Sequence, residues 1–466
     1  EYKNKRILKN LNQKQMTTRR NFIKKTSLAT GALTFGVATG LRAKSYRKVL
    51  GANDRVRVGV VGFSNRCKGS LIPAFLDHSK NLNFEFVGVS DIWNRRREEG
   101  AEYLKKKTGD KMKVWRNNEE MYEDDKIDAV IISTADFQHA LHTVQAANAK
   151  KDAYVEKPFA ETMDDARVGK KAVEESGIVF QIGSQRRSGR NYHAANQFIK
   201  SGKFGDIVMV EMSWNVNQPG RWRLPQLTKE IRESDTDWKR YLMNRPYEAW
   251  DPRKYLEYRL FWPYSSGIPG QWMSHQIDTV HWFSGYDHPR SVAANGGIYL
   301  WKDGRKNYDT MTSVFDYGDD NSEDGFQVVY SSRFTNSAGG TKEIYYSNGG
   351  ELNLKTNKVS DNGGLSERQA KRMGLEANKL EEYNLSDSQV EVVTSANTGV
   401  DNMTSNHMLN WMECVRSRAK TNGPIEAGYN HSIANIMTTA ALRTGLKATF
   451  DKESQNVIAG GKVFKY

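Results

Sequence analysis

The chain has 466 residues, 27% of them charged and 38% hydrophobic, which excludes a collagen, a coiled coil and a mainly disordered protein and favours two globular domains. The formal net charge is +14. Residues 1–50 hold thirteen Lys and Arg residues against one acid, Glu1, so the rest of the chain carries only +2. A nucleic-acid-binding protein with a basic folded surface is therefore excluded.

The basic N-terminal segment predicts an export signal rather than part of the fold. Arg19 and Arg20 precede a mildly apolar run of small residues over 26–40. The arrangement resembles a twin-arginine signal, and the run is too short and too rich in Gly and Thr to span a bilayer stably. We therefore assign residues 1–48 to a twin-arginine signal peptide and leader, and we expect a periplasmic protein without stable membrane insertion.

Strands alternate with helices from Val56 to about residue 184. The predicted strands are 56–61, 84–90, 129–133 and 153–156, and one predicted helix covers 138–149. This alternation is typical of right-handed crossover units around a parallel sheet. The sequence therefore predicts an α/β fold in which residues 54–184 form a doubly wound Rossmann domain.

Longer strands with few helices between them follow residue 184. They are predicted at 207–214, 291–299, 312–317, 326–334 and 343–354. Such clustering predicts a large, mostly antiparallel open sheet in a second, α+β domain over 185–466. A polar stretch over 355–400 predicts a surface excursion, and helices over 407–418 and 431–444 close the chain.

The turn after the first strand carries a glycine suited to a bound phosphate. Gly62 fits the first position of a G-x-G-x-x-G turn, but Ser64 stands where the second glycine is expected. Such a turn places backbone N–H groups and the positive end of a helix against a pyrophosphate. Alone it is a weak signal, because an ordinary strand-to-helix turn looks the same. Asn65 and Arg66, which follow, are assigned to the same cofactor site.

The end of the second strand indicates which dinucleotide binds. A carboxylate at Asp91 would accept hydrogen bonds from an adenosine ribose, which favours NAD. Arg95, Arg96 and Arg97 follow one turn later and could pair with a 2′-phosphate, so NADP stays open.

Two further motifs resemble those of a known family. Residues 133–139 read S-T-A-D-F-Q-H, and residues 154–159 read Y-V-E-K-P-F. Together with G-S-Q-R-R at 183–187, they resemble the Gfo/Idh/MocA oxidoreductase family, whose E-K-P signature the second motif matches in full. The resemblance implies a tightly bound NAD(P), a sugar-type substrate and a homodimer or homotetramer. The additional cofactor-binding residues that it implies are Thr134, His139, Glu156, Lys157 and Gln185.

Lys157 is the first candidate catalytic residue. A lysine at the carboxyl end of a parallel strand lies at the ligand crevice, where burial and a cationic nicotinamide both lower its pKa. Such an amine could bind a sugar hydroxyl or relay its proton.

A second candidate group lies in residues 270–282. Read as a helix, this segment places Gln271, His275 and Asp278 on one face. The family pattern is D-x-G-x-H-x-x-D, so Gln271 replaces an acid. Glutamine can hydrogen-bond a hydroxyl but cannot take its proton, which leaves the role of general base to His275 or Lys157. The alternative is that His275 is a buried structural donor.

Aromatic and basic residues are dense over 214–272. Flat aromatic faces suit stacking on pyranose rings, although core packing is the commoner role for any one of them. We assign Arg221 and Trp222 to the substrate, together with Arg186 and Asp278. His and Cys residues do not occur at metal-ligand spacing here, so no metal is predicted, and the two cysteines of the chain predict no disulfide framework.

These features together predict a periplasmic NAD(P)-dependent oxidoreductase that acts on a sugar or sugar derivative. A hydride would pass between a carbinol carbon and the nicotinamide, with Lys157 positioning the hydroxyl, His275 accepting its proton and Gln271 orienting it. One alternative is a redox-neutral NAD-dependent glycosidase or lyase of the same family. Another, motivated by Ser64 and Gln271, is a non-catalytic sugar-binding relative.

Overall fold

The structure is a computed structural model that describes residues 54–385 and 401–465. Two β-sheets organise these residues. The predicted leader over 1–48 lies outside the described residues, as does the end of the predicted surface excursion. No helix in the described ranges is long and apolar enough to cross a membrane.

The first sheet is parallel throughout, with its strands in the order β3-β2-β1-β4-β5-β6. Its strands are β1 (Val56–Val61), β2 (Phe84–Ser90), β3 (Lys113–Trp115), β4 (Ala129–Ile132), β5 (Asp152–Val155) and β6 (Phe180–Ile182). All residues of β4 and β5 are buried, as expected for inner strands of a parallel sheet. The order is that of the doubly wound Rossmann fold, so the predicted α/β architecture is confirmed.

Helices connect these strands, and local sequence fixes where they begin and end. They are α1 (Ile72–Leu82), α2 (Asn94–Thr108), α3 (Asn118–Tyr122), α4 (His139–Asn148) and α5 (Met163–Ser176), with a π-helical turn at Cys67–Leu71 leading into α1. Thr162 caps α5 by accepting a hydrogen bond from the N–H of Asp165 at 3.1 Å. Gly177 ends the same helix with φ +68°, a conformation in which glycine is strongly favoured.

The second sheet has eleven strands in the order β14-β13-β12-β11-β7-β10-β9-β8-β15-β16-β17. They are β7 (Met209–Asn215), β8 (Ser291–Gly297), β9 (Thr310–Tyr317), β10 (Phe326–Arg333), β11 (Thr341–Ser347), β12 (Gly350–Asn353), β13 (Lys358–Ser360), β14 (Tyr383–Asn384), β15 (Ala448–Asp451), β16 (Asn456–Ala459) and β17 (Lys462–Val463). All neighbours are antiparallel except β7 and β10. The predicted, mostly antiparallel sheet is therefore confirmed.

Eight helices accompany this sheet in the described ranges. They are α6 (Arg190–Lys200), α7 (Pro225–Glu230), α8 (Trp238–Leu242), α9 (Pro252–Leu256), α10 (Ser274–Ser284), α11 (Glu367–Met373), α12 (Asn402–Ser417) and α13 (Ile425–Thr444). The last two begin earlier than the predicted 407 and 431. Asp401 caps α12 by accepting a hydrogen bond from the N–H of Thr404 at 2.7 Å, and α13 begins directly after Pro424.

The strand predicted over 343–354 is wrong, because this segment forms the hairpin of β11 and β12. Ser347 pairs with Gly350, so Asn348 and Gly349 make a two-residue turn. A Cβ at Gly349 would lie 2.1 Å from the carbonyl oxygen of Asn378, so only glycine fits there. The predicted excursion after residue 354 also contributes β13 and β14, which extend one edge of the sheet.

Two later parts of the chain return to the first sheet. Helix α12 packs on α1 and adds Met408 and Trp411 to the core around β1 and β2. Residues 216–269, which we call the cleft segment, pack Trp238 and Tyr241 against Phe137 in the loop after β4. The second contact brings the cleft segment to the carboxyl ends of the parallel strands.

Candidate active site

A cavity of about 1030 Å³ lies at the carboxyl ends of β1, β2 and β4, with the cleft segment as its other wall. Ligands of open parallel sheets bind at this edge, where the strand order reverses between β1 and β4. The predicted site residues that line it are Gly62, Ser64, Asn65, Arg66, Asp91, Thr134, Arg221 and Trp222. The structure therefore brings the predicted cofactor turn and two predicted substrate residues to one space.

The turn at Gly62 has no room for a side chain. Its φ is +83°, and a Cβ there would lie 2.8 Å from Cγ2 of Thr134 and 3.0 Å from the carbonyl oxygen of Ser133. The backbone of the turn thus faces the cavity at a position where only glycine fits comfortably. Nearby, Oγ1 of Thr134 is buried without a hydrogen-bond partner among the described residues.

Ser64, which replaces the expected second glycine, has a structural role. Its Oγ accepts a hydrogen bond from the N–H of Cys67 at 3.2 Å and lies 2.6 Å from Oγ of Ser133. The residue therefore caps the helix that follows the turn and ties the loops after β1 and β4 together. With Ser64 in place of the expected glycine, the N-terminus of the helix that follows the turn still points at the cavity.

The carboxylate of Asp91 is held by the backbone. Its Oδ2 accepts a hydrogen bond from the N–H of Phe63, and its Oδ1 accepts one from the N–H of Trp93, both at 2.9 Å. Burial raises the pKa of Asp91, and these two hydrogen bonds oppose the shift. The carboxylate is thereby fixed at the cavity wall.

Only one of the three predicted 2′-phosphate ligands lines the cavity, and it is Arg96. Its guanidinium donates to Glu99 at 3.1 Å and to Asn65 at 3.3 Å. Arg95 instead pairs with Glu99 and with Glu230 of the cleft segment. The third, Arg97, donates to the carbonyl oxygen of Asp91 at 2.8 Å.

Arg66 is oriented by the glutamate of the E-K-P signature. Its Nε donates to Oε1 of Glu156 at 3.1 Å, and Nε2 of Gln185 donates to the same oxygen at 3.2 Å. A weaker contact of 3.4 Å joins Arg66 to Thr404 of α12. Glu156 and Gln185 do not line the cavity themselves, so they act on it by positioning a guanidinium that does.

His139 lies behind the cavity wall. Its Nδ1 is 2.7 Å from the carbonyl oxygen of Pro158, and its Nε2 is 3.3 Å from that of Thr134. Burial lowers its pKa. The ring therefore joins the loops after β4 and β5, and its contacts are structural.

Lys157 follows β5, and its ammonium reaches the second domain. Its Nζ donates a hydrogen bond to the backbone carbonyl oxygen of Gln271. Burial lowers the pKa of Lys157 to about 7, although Glu156 and Asp136 act in the opposite direction. A half-buried amine with this pKa can both donate and accept a proton near neutral pH.

The side chain of Gln271 belongs to a network that includes two residues not predicted from the sequence. Its Nε2 donates to Oδ2 of Asp136 at 2.5 Å, and its Oε1 accepts from Nε of Arg259 at 2.9 Å. Oδ2 of Asp136 also accepts from Ser265 at 2.6 Å. The acid absent at 271 thus has a counterpart in Asp136, which lies within the S-T-A-D-F-Q-H motif.

His275 lies in the same neighbourhood as Lys157. Its ring centroid is 5.9 Å from that of Trp214. Burial first, and the ammonium of Lys157 second, keep the pKa of His275 well below 6.5. The imidazole is therefore neutral at neutral pH. Lys157, Gln271 and His275 are not among the described residues that line the large cavity, but Gln271 contacts Arg259, which does.

Two predicted substrate ligands are instead committed to internal ion pairs. Both carboxylate oxygens of Asp278 accept hydrogen bonds from Arg187, at 2.7 and 2.9 Å. Arg186 pairs with Glu343, and both side chains are buried. Neither residue lines the cavity, so the prediction that Arg186 and Asp278 contact substrate is corrected, although Nη2 of Arg186 has no hydrogen-bond partner among the described residues.

The residues of the parallel sheet match a known family model. The model, described as an oxidoreductase family with an NAD-binding Rossmann fold, covers residues 56–184. Residues 56–184 thus form an NAD-binding domain of the Gfo/Idh/MocA oxidoreductase family. The match contains the Gly62 turn, Asp91 and Lys157, and the cavity lies at the carboxyl edge of this matched domain.

Curated relatives in this family include dehydrogenases of cyclic polyols. The scyllo-inositol 2-dehydrogenase (NADP(+)) of Bacillus subtilis is 28% identical over 184 residues, which are 39% of this chain and 47% of that protein. The inositol 2-dehydrogenase of Salmonella typhimurium is 28% identical over 180 residues, or 37% of this chain and 52% of the relative. The matches thus span about half of the length of these relatives.

Solved structures share the fold over a longer stretch. A levoglucosan dehydrogenase in complex with NADH and levoglucosan has a TM-score of 0.61, with 12% identity, 85% of this chain covered and 99% of that chain. The WlbA dehydrogenase of Bordetella pertussis, in complex with NADH and UDP-GlcNAcA, has a TM-score of 0.60, with 16% identity and coverage of 85% and 98%. At these identities the likeness shows a common two-domain fold.

Proposed function

We propose that this protein is an NAD-dependent oxidoreductase that oxidises a secondary hydroxyl of a sugar or sugar derivative. The observation that carries the proposal is Lys157, a half-buried amine with its pKa lowered to about 7, placed at the carboxyl edge of a Rossmann sheet and joined to the second domain through Gln271. Relatives named as dehydrogenases of inositols support a polyol or sugar substrate.

The residues present fit a dinucleotide. The turn at Gly62 offers backbone without a side chain, the capped helix after Ser64 presents its N-terminus, and Asp91 presents a fixed carboxylate for ribose hydroxyls. When bound there, NAD would supply the hydride acceptor, so that a carbinol carbon becomes a carbonyl as its hydride passes to the nicotinamide ring and its hydroxyl proton passes to the protein.

The amine of Lys157 would accept that proton. The carbonyl oxygen of Gln271 holds the amine in place, while the amide of Gln271 is itself held between Asp136 and Arg259. The neutral ring of His275 lies near enough for the ammonium to lower its pKa further, and it can pass the proton on or hydrogen-bond the substrate. Gln271 thus acts as a positioning residue rather than as an acid or base.

The test is a sugar and polyol panel with purified protein, in which the absorbance of NADH is followed together with release of any C1 substituent. Accumulation of NADH in proportion to ketone supports the proposal. Cleavage of a glycoside without net NADH would instead identify the redox-neutral glycosidase or lyase. If neither occurs and no dinucleotide binds in calorimetry, the protein is a sugar-binding relative without catalysis.

The rate of oxidation is expected to depend on pH through Lys157. Below a pKa of about 7 the ammonium cannot accept a proton, so kcat/KM should rise with pH and level off above neutrality. Burial holds the pKa of His275 well below 6.5, so its titration does not account for a rise around neutral pH. The measurement is kcat/KM from pH 5.5 to 9, roughly the range in which a lowered lysine pKa falls; a profile flat through neutral pH would contradict the assignment.

Asp91 is expected to set the preference for NAD. In Asp91→Ala, the affinity for NAD should fall about ten- to hundredfold, because hydrogen bonds from a ribose to a charged carboxylate are lost. The affinity for NADP should fall less, since Arg96 remains at the cavity wall. Titration calorimetry with both dinucleotides measures this, with Asp110→Ala, an exposed position, as the control. Equal losses for both dinucleotides would show that Asp91 does not select between them.

We also propose that the protein is exported to the periplasm by the twin-arginine route. The paired Arg19 and Arg20 before a small, apolar run support this. Replacement of both arginines by lysine should retain the protein in the cytoplasm, as measured by cell fractionation.

A homodimer or homotetramer formed through the second sheet is a further proposal, for which light scattering after gel filtration gives the mass.

A further inference from the structure

One arginine in the wall of the cavity carries a charge that the protein itself does not neutralise. Arg221 of the cleft segment forms no ion pair with any described carboxylate, and its Nε is buried without a hydrogen-bond partner. Its guanidinium stacks on two indole rings, 5.9 Å from the centroid of Trp222 and 5.4 Å from that of Trp272. Burial lowers the pKa of Arg221 to about 10. Such desolvation of a charge is costly unless a partner arrives.

Most other arginines of the same segment are paired, and Arg232, which forms no ion pair with a described carboxylate, is exposed, so Arg221 is an exception that needs an explanation. The pairs are Arg223 with Glu257 and Asp303, Arg240 with Glu119, Arg245 with Asp165, and Arg253 with Glu257. The carboxylates of these pairs are therefore already used by other arginines.

A second guanidinium, that of Arg259, faces the same cavity and has donors to spare. Its Nε donates to Gln271 at 2.9 Å. Its nearest carboxylate oxygen, Oδ1 of Asp136, is 4.0 Å from Nε, while Oδ2 of the same carboxylate accepts hydrogen bonds from Gln271 and Ser265. Arg259 also lowers the pKa of Arg221, so the two cations lie close enough to repel each other. An anion between them would relieve both the repulsion and the desolvation.

The contacts of these two arginines place the anion at the Lys157 end of the cavity. Arg259 binds the side chain of Gln271, whose carbonyl oxygen accepts the hydrogen bond from Lys157. Arg221 stacks on Trp272, the next residue in the chain. The binding site for the dinucleotide phosphates is distinct from this anion site. It lies at Gly62, where the turn and the helix N-terminus point into the cavity.

We propose that the substrate is an anionic sugar whose carboxylate binds between the guanidiniums of Arg221 and Arg259, while its reacting hydroxyl lies at Lys157. A planar guanidinium matches a carboxylate in a two-point contact, and the indole ring of Trp222 offers an apolar face to the sugar. The inference rests on the proposed function and specifies its substrate class as sugar acids rather than neutral sugars.

Binding and turnover test this separately. Tryptophan fluorescence of the NAD-loaded protein is followed as glucuronate, galacturonate, glucose 6-sulfate or glucose is added, and NADH formation is measured with the same compounds. We expect a uronate to bind about ten- to hundredfold more tightly than glucose, with an affinity that falls as salt is raised. Tighter binding of the sulfate ester than of either uronate would overturn the choice of a carboxylate.

Substitutions at Arg221 test whether its guanidinium causes the preference for uronates over glucose. In Arg221→Met, which keeps an apolar side chain against the indoles, the preference for uronate over glucose should fall about tenfold or more, whereas Arg221→Lys should retain part of it. The control is Arg232→Met, an exposed position of the same segment. Circular dichroism and thermal melting of each variant establish that the fold is kept.

The outcomes separate this inference from the proposed function. If glucose and glucuronate bind equally, or if Arg221→Met weakens NAD binding instead of uronate binding, the anion site is refuted. If NADH forms from neutral sugars and Arg221→Met leaves that activity unchanged, the proposed function stands and the inference falls. If uronates bind through Arg221 but never reduce NAD, the anion site stands and the proposed function falls.

Discussion

Replacement of Lys157 by Met is expected to lower kcat for NAD reduction by about 10²- to 10⁴-fold, the range that general acid–base groups contribute. The amine is the group of the site whose pKa of about 7 lets it take the hydroxyl proton at neutral pH. Methionine fills a similar volume, so binding of dinucleotide to the Gly62 turn should change little. Steady-state NADH formation and calorimetry with NAD measure the two quantities.

Lys171→Met is the matched control for this variant, because Lys171 is exposed on α5 and makes only a loose surface ion pair with Glu175 at 3.7 Å. It should leave kcat unchanged. A Lys157→Met variant that binds NAD and turns over within tenfold of the parent rate would show that proton transfer does not depend on this amine. His275 would then be the remaining candidate base.

The second large effect is expected on stability. Arg186→Met should lower the free energy of unfolding by about 3–5 kcal/mol, the cost of leaving one member of a buried ion pair unpaired. Glu343 is 3% exposed, and its remaining partners would be Tyr192 at 3.3 Å and the hydroxyl of Thr279. Burial already raises the pKa of Glu343, and the guanidinium of Arg186 opposes that shift. Denaturant unfolding of both proteins gives the difference.

Two companion variants serve as controls for this change in the free energy of unfolding. The double variant Arg186→Met/Glu343→Gln should recover much of the loss, because it removes the stranded charge as well. Arg116→Met breaks an exposed pair with Glu120 and should cost less than about 1 kcal/mol. A loss of that small size for Arg186→Met would show that the pair does not hold the helical turn Gln185–Ser188 and β11 together.

The fold could be predicted largely from local patterns. Strands β1, β2, β4 and β5 are short apolar runs between helical segments, and their burial inside a parallel sheet follows from that composition. The sequence predicts one strand in place of the hairpin of β11 and β12 because residues typical of strands, such as Tyr345 and Leu352, lie on both sides of Asn348 and Gly349. The Asn-Gly pair is a strong turn signal that should have taken precedence.

Some residues of the candidate site could likewise be predicted from local sequence, and others could not. Gly62 and Asp91 could be predicted because a turn and the strand beside it are enough to place them. The contact between Gln271 and Asp136 joins residues 135 positions apart, and nothing local to either position indicates it. The same holds for Arg187, whose ion pair with Asp278 removes a predicted substrate ligand. Long-range ion pairs and hydrogen bonds of this kind depend on how the two domains meet.

The most direct test of the account is transfer of deuterium from substrate carbon to the dinucleotide. Protein loaded with NAD is mixed with fully carbon-deuterated glucose or glucuronate, quenched with cold alkali, in which reduced nicotinamide is stable, and examined by mass spectrometry. The account predicts a reduced nicotinamide that carries one deuterium, formed by the parent protein and lost in Lys157→Met. Bound NAD that remains free of deuterium with both sugars, and with deuterated inositol, would contradict it.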